Sequence, residues 1–493
     1  MTHAVRRIAA SRWFFYATAA AFAASALFIA LTARPLLYDE WWHVDLIRIY
    51  STRLTPFIAQ QGPETAIVGE VQRNGSYLYH FVLSFPYRWL TAAGLGENAV
   101  IIWLRVITIA MPTVALFFFR RILRDIGLSD AVANVALLIY CALPVTSFVA
   151  GTVNYDNGVQ LVGSVVIWLA VRIWLDPRRT VGHYALFLGL GALGCVTKFE
   201  FSPVFAALVA VVAFRYISTS VRERSWRLPV PFTTRGQRTA LIVSLAVLVL
   251  GVALVLERYG VNVLVYRTLV PPCEQLHSDE FCSQYLVWAR NAQYAQSHPV
   301  TTPFSGTLLS TYIHIWFDGT IGTLPTVGTD MGFGTGAPIT MLLIQDGVAI
   351  ASVAFFFAIG RVFKNSAFRA VIVVLVIYGV ALFHTNLGFY RQYGVPATIQ
   401  SRYWLLLMPL ILGILGYAVN TVLTSVYRGR GASAAQTVVL AVLLLAITQG
   451  GFFLTFFVTA NDSWFLADGP VHDTLLPLLR SIAGHLVITR PIP

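Results

Sequence analysis

Two adjacent carboxylates and a histidine, in Asp39-Glu40-Trp41-Trp42-His43, stand just beyond the first long apolar run of the chain. A carboxylate at the end of a membrane span is costly to desolvate, and a site that keeps one there often uses it. As a general base, Asp39 would take the proton of an attacking hydroxyl, a contribution of roughly 10²–10⁴ in rate. The structural alternative is that Asp39 and Glu40 mark the membrane boundary or pair with Arg34 or Arg48. Asp39 and His43 are spaced i, i+4, and Glu40 and His43 i, i+3. On a regular helix either pair would share a divalent cation with further ligands, or the imidazole would simply be hydrogen-bonded.

Other polar groups interrupt the apolar sequence at few places. Gly151-Thr152-Val153-Asn154-Tyr155-Asp156-Asn157-Gly158 joins two apolar runs; Asp156 is either a turn residue or a second carboxylate facing the same cavity. Lys198, one of only two lysines, sits with Glu200 in a tight hairpin, as an anion ligand, a snorkelling side chain or the partner of Glu200. Arg391 and Arg402 have the planar donors that suit a phosphate. Asp346 lies within an apolar run, as a proton site or as a partner of Arg105. Cys273 and Cys282 are expected to form a disulfide in a large outer loop, while Cys141 and Cys195 read as small core residues. Gly328 to Gly336 is a glycine-rich run that follows no strand, so it reads as a hinge and not a phosphate loop.

The elements that must position these groups follow from composition. Of 493 residues, 57% are hydrophobic and 11% charged, where a soluble domain carries about 25% charged. The mean hydropathy is +0.71. The chain is therefore expected to be an all-α polytopic membrane protein, a single transmembrane domain over 1–493. Eleven runs are long enough to be candidate spans: near 12–31, 98–119, 131–150, 158–175, 181–197, 202–218, 239–256, 338–360, 370–384, 403–422 and 436–460. The first reads as an uncleaved span. Between them, 32–97 and 257–337 are large loops, and 461–493 forms a tail. Within the first loop, Trp42, Leu46, Ile49 and Tyr50 recur at helical spacing, which predicts an amphipathic helix lying in the lipid boundary. A second aromatic stretch, Tyr77 to Trp89, is too short to span.

Charge distribution sets the expected direction. With the N-terminus in the cytoplasm, 20 of the 34 basic residues fall in cytoplasmic segments that hold only Asp125, Asp130, Asp176 and Glu223 as acids. The formal charge of +12 is then topology and not a nucleic-acid footprint. The longest cytoplasmic stretch, about 219–238, is too short to bind a nucleotide, so no nucleotide or organic cofactor is expected. Chemistry belongs to the outer face. The preference for Arg over Lys suggests a GC-rich bacterial genome, hence the inner membrane.

The layout resembles GT-C glycosyltransferases such as protein O-mannosyltransferases and lipid A aminoarabinose transferases. The resemblance rests on Asp39-Glu40 after the first span, Asp156 in a short turn, the Thr197-Lys198-Phe199-Glu200 hairpin, and Gln400-Ser401-Arg402-Tyr403 with Pro409. The last is similar to the Gln-Gly-Arg-Tyr…Pro segment of bacterial relatives, with Ser401 in place of Gly. No sizeable soluble domain is expected after the last span. The resemblance implies an inverting transfer of a sugar from a polyprenyl-phosphate donor lipid to a glycan, lipid or protein acceptor. It implies Asp39 as base with Glu40 beside it, Asp156 near the acceptor or a divalent cation, and Lys198, Arg391 and Arg402 toward the donor phosphate; His43 is placed near the acceptor or a divalent cation by its spacing from Asp39 and Glu40. Two rivals are a polyprenyl-diphosphate-dependent ligase or polymerase, which would leave Asp39-Glu40 idle, and a transporter using Asp346, which predicts repeats the sequence does not show.

Overall fold

In hydrocarbon every backbone N–H and C=O must be paired within the chain, so apolar runs of about twenty residues fold as helices. The computed structural model describes residues 2–37, 39–226, 228, 234–297, 305–324, 337–396, 398–427, 430–450, 464–466, 471–486 and 489–490. It shows an all-α polytopic membrane protein. In chain order the main helices are α1 (Arg12–Thr32), α2 (Glu40–Ser51), α3 (Leu78–Ala92), α4 (Glu97–Asp125), α5 (Asp130–Ala142), α6 (Pro144–Ala150) and α7 (Tyr155–Leu175). They continue with α8 (Val181–Thr197), α9 (Ser202–Glu223), α10 (Arg235–Val255), α11 (Ile339–Val362), α12 (Ser366–Tyr393), α13 (Met408–Val426) and α14 (Arg430–Gly450).

Among the described residues seven helices are long and apolar enough to cross a membrane, or eight when the bent pair α5–α6 counts as one. Eleven were expected. Helix α8 has 17 residues, about 26 Å of rise against a hydrocarbon core of about 30 Å. The eleventh expected span and the 461–493 tail fall partly outside the described residues, the Gly328–Gly336 run falls wholly outside them, and the eighth span corresponds to α11. The third is broken by 71° where Leu143, extended at φ −66° and ψ 126°, precedes Pro144. Proline holds its predecessor out of the helical region, so α5 stops there and α6 restarts on the proline itself.

Helices α8 and α10 approach through glycine. A Cβ on Gly251 would lie 2.5 Å from the carbonyl oxygen of Gly189, and one on Gly189 would lie 2.6 Å from the backbone nitrogen of Leu248. Small residues give two membrane helices this closeness, which van der Waals contact rewards where no hydrophobic force operates.

The first loop folds differently from its expectation. Helix α2 packs on α3, and its buried side carries Glu40, His43, Val44, Leu46, Ile47 and Tyr50. The apolar face thus meets protein, and His43 turns inward instead of joining the solvated side. Cys273 and Cys282 are disulfide-bonded, and Cys141 and Cys195 are buried and free. Near the C-terminal end, Arg34 N–H donates to Trp464 and Leu466 N–H to Thr32, which ties residues 464–466 to the end of α1.

Candidate active site

Each polar residue of the site sits where a helix begins or ends. Asp39 precedes the first residue of α2, Asp156 lies in the first turn of α7, Lys198 follows the last residue of α8, and Arg402 lies in a short 3₁₀ turn ahead of α13. Their apolar helices thereby stay in lipid while the charges gather at one end of the bundle.

The two adjacent carboxylates have opposite surroundings. Glu40 is fully buried, and both its oxygens are held by Arg105, at 2.8 Å from Nε and 2.6 Å from Nη2. The backbone N–H groups of Leu36 (3.0 Å) and Val153 (2.8 Å) donate to it as well. The remaining donors of Arg105 go to the carbonyls of Ala30, Ala33 and Arg34, which would otherwise be left open at the end of α1. Leu36 has φ +63°, a conformation that costs a non-glycine residue about 1 kcal/mol, and its N–H bond to Glu40 helps hold it there. Glu40 thus builds the loop that carries its neighbour. Arg105 is fully occupied by these contacts, so the expected partnership with Asp346 is not formed; Asp346 is exposed on α11. Arg48, the other expected partner of the acid pair, binds Asp45 and Glu97.

Asp39 keeps 31% of its side chain exposed. Its Oδ2 accepts from Arg402 Nη1, and its Oδ1 from Asn154 Nδ2 at 3.3 Å. Asn154 in turn caps α7 by accepting the Asp156 N–H at 2.9 Å. The short turn 153–156 therefore touches Glu40, Asp39 and Asp156 together. Asp156 is buried and pairs through Oδ1 with Lys198, so the lysine finds Asp156 and not Glu200. Lys198 Nζ also lies 4.7 Å above the ring of Tyr155 and 5.2 Å above that of Tyr403. Burial alone would lower its pKa, but Asp156 and Glu200 outweigh this and raise it, so it stays charged.

A cavity opens on this cluster, lined on its polar side by Asp156, Lys198, Glu200, Tyr378, Arg402 and Tyr403. Asp156 Oδ2 and Glu200 Oε2 are buried there without a hydrogen-bond partner. Arg391 is exposed in the last turn of α12 and does not line it. Ser401, in place of the glycine of the resembling segment, is buried, and its N–H donates to Thr323 Oγ1 at 2.7 Å.

Behind Asp39 lies a pair the sequence did not reveal. His43 Nε2 is 4.0 Å from Asp39 Oδ2, and His43 Nδ1 is 2.9 Å from Nε2 of His80, a residue on α3. Both rings are buried. Burial lowers the pKa of His43 well below the usual imidazole value, with Arg402 and Lys198 adding to the effect; burial and then His43 do the same for His80. The signal available was a histidine inside the aromatic stretch Tyr77 to Trp89. Among the described residues no group of three or more His, Cys, Asp or Glu side chains is gathered as a metal site demands.

Fold and site define a polytopic membrane protein with a carboxylate base candidate and two cations at one end of its bundle. No protein-family profile and no curated protein matches the chain. Among solved structures it is similar to the archaeal oligosaccharyltransferase AglB from Archaeoglobus fulgidus, in complex with an inhibitory peptide and a dolichol-phosphate. The identity is 13% and the TM-score 0.43, over 98% of this chain and 60% of that one. The chain thus spans less than two thirds of that protein, and a likeness at this level carries no argument about chemistry.

Proposed function

We propose that the protein is an integral-membrane inverting glycosyltransferase. It moves a sugar from a polyprenyl-phosphate carrier to an acceptor hydroxyl on the outer face of the inner membrane. The observation that supports this reading is the half-exposed Asp39, held by Arg402, a residue that lines a cavity together with Lys198.

In the reaction the acceptor oxygen attacks the anomeric carbon, the bond from that carbon to the phosphate oxygen breaks, and the electron pair leaves with polyprenyl phosphate. The acceptor proton passes to Asp39. Once neutral, Asp39 holds Arg402 less strongly, and the guanidinium becomes available to the leaving phosphate as its charge develops. Proton transfer and leaving-group stabilisation are thereby coupled through one residue, in a water-poor site where such charge pairing counts most. Glu40 supports this by fixing the backbone under Asp39.

The test is transfer from a panel of polyprenyl-phosphate sugars in native-membrane extract that contains its acceptors, with wild type against Asp39→Asn. Sugar transfer with release of polyprenyl phosphate, reduced roughly 10²–10⁴-fold in a folded Asp39→Asn protein, supports the reading. Full activity in that variant removes Asp39 from the mechanism. Transfer from a diphosphate-linked donor only would favour a ligase or polymerase instead.

A further inference from the structure

We propose that His80 and His43 form a fixed-tautomer relay that presents a lone pair to Asp39 and supports the protonated form of that base during transfer. The inference rests on the transferase reading for its role, and on geometry alone for its existence.

The direction of the relay follows from its far end. His80 Nδ1 lies 3.1 Å from the backbone carbonyl of Ser76, which can only accept, so Nδ1 carries the hydrogen. In a neutral imidazole the other nitrogen then has a lone pair, so His80 Nε2 accepts from His43 Nδ1 across 2.9 Å. That leaves the lone pair of His43 on Nε2, the nitrogen that faces Asp39 Oδ2 at 4.0 Å. The ring planes are only 16° apart and their centroids 5.2 Å apart, as two imidazoles joined edge to edge require, so the bond lies in the ring planes. With both rings buried, the pair has no water to compete for its donors and acceptors.

The relay is anchored. Ser76 Oγ accepts the N–H of Phe199 at 2.9 Å, and Tyr77 N–H donates to the carbonyl of Val196 at 3.0 Å. The residue that fixes the tautomers and its neighbour Tyr77 are therefore bound to the two sides of the hairpin carrying Lys198.

The groups facing His43 define what it can do. Asp39 lies on its own helix, His80 and Tyr79 on α3, Tyr155 on α7, with the charges of Arg402 and Lys198 nearby. Two cations disfavour a positive imidazole, so His43 acts as a hydrogen-bond acceptor. When Asp39 takes the acceptor proton, its new O–H donates to His43 Nε2 as Arg402 swings to the phosphate. A carboxylic acid would otherwise lose its partner at that moment. His43 and His80 are positioning residues; neither contacts the sugar.

Two measurements test this. In ¹⁵N-histidine-labelled protein in lipid, solid-state NMR resonances assigned with single His→Gln variants are expected to show His43 and His80 neutral, each protonated on Nδ1, at neutral pH. Either ring protonated on Nε2 overturns the relay whether or not any sugar is transferred, so its failure is distinct from failure of the transferase reading. In the transfer assay, His80→Leu is expected to lower kcat about 10- to 100-fold with KM little changed, as misplacement of a catalytic group does. It should also move the acidic limb of the pH–kcat profile. His80→Gln, whose side-chain oxygen keeps an acceptor for His43 Nδ1, is expected to restore most of the rate and the profile. An unaltered kcat in folded His80→Leu, or equal loss in His80→Gln with no change of profile, overturns the role. Where His80→Leu does not fold, the comparison of His80→Gln with wild type and the NMR assignment still decide it.

Discussion

Arg105 closes on both carboxylate oxygens of Glu40, 65 positions away in the chain, and neither side chain reaches solvent. The adjacent Asp39 is left half open. Two neighbouring acids of one short motif thus have different surroundings: each meets a guanidinium, but Glu40 is enclosed with both oxygens on Arg105, while Asp39 offers Arg402 a single oxygen and stays open to solvent.

Breaking that pair is expected to be severe. Arg105→Met leaves Glu40 charged and buried and uncaps the end of α1, with an expected loss of about 3–5 kcal/mol. The double variant Arg105→Met, Glu40→Gln should recover part of it, since no lone charge remains. Thermal unfolding of the purified protein in lipid nanodiscs measures both. Independent, additive effects of the two substitutions would refute the coupling.

Lys198 carries the next expectation. Lys198→Met combined with Asp156→Asn removes both members of a buried pair and so preserves the charge balance of the fold. Under the transferase reading this raises KM for a polyprenyl-phosphate sugar roughly 10- to 100-fold, the loss of one charge-assisted hydrogen bond. Arg391→Met, altered on the exposed end of α12, leaves KM unchanged. Equal effects from the two substitutions would deny Lys198 its special place in the cavity.

Glu70 gives a pH dependence. Burial raises its pKa from 4.5 to about 7, against the opposing pull of the Arg73 N–H and of Arg258. The folded state therefore binds a proton more tightly than the unfolded one. Its stabilising contribution is full below about pH 4.5 and is lost as pH rises toward 7, by on the order of 3 kcal/mol. Glu70→Gln should remove this slope and be more stable than wild type at pH 8. Denaturation midpoints measured from pH 5 to 8 for both proteins check it; parallel curves would place the titration elsewhere.

Helices were legible because hydropathy is local: the apolar runs fall on helices, the third on the bent pair α5–α6 and the eleventh described only as far as Gly450, although only seven or eight meet the length and apolarity for crossing among the described residues. The i, i+4 spacing of Asp39 and His43 also carried over, since a helix fixes that distance. Partners were less legible. Arg105 was matched to Asp346 because both are charges in apolar runs, and nothing in spacing distinguishes that match from Glu40. His43 was read as a cation ligand or a hydrogen-bonded imidazole with no partner named, because polarity was read one helix at a time. Its burial comes from α3, which brings His80 to it, and neither the sequence of α2 nor that of α3 states how the two helices will meet.

The bond between Asp39 and Arg402 joins residues 363 positions apart. At a translation rate of about 5–20 residues per second, roughly 20–70 s separate the synthesis of the two partners. A nascent chain therefore holds Asp39 without its guanidinium until nine apolar runs have left the ribosome. Assembly order thereby becomes a safeguard: fragments released before Arg402 emerges carry the Asp39 motif but cannot complete the site. Under the transferase reading, inactivity of truncated products is built into the connectivity itself.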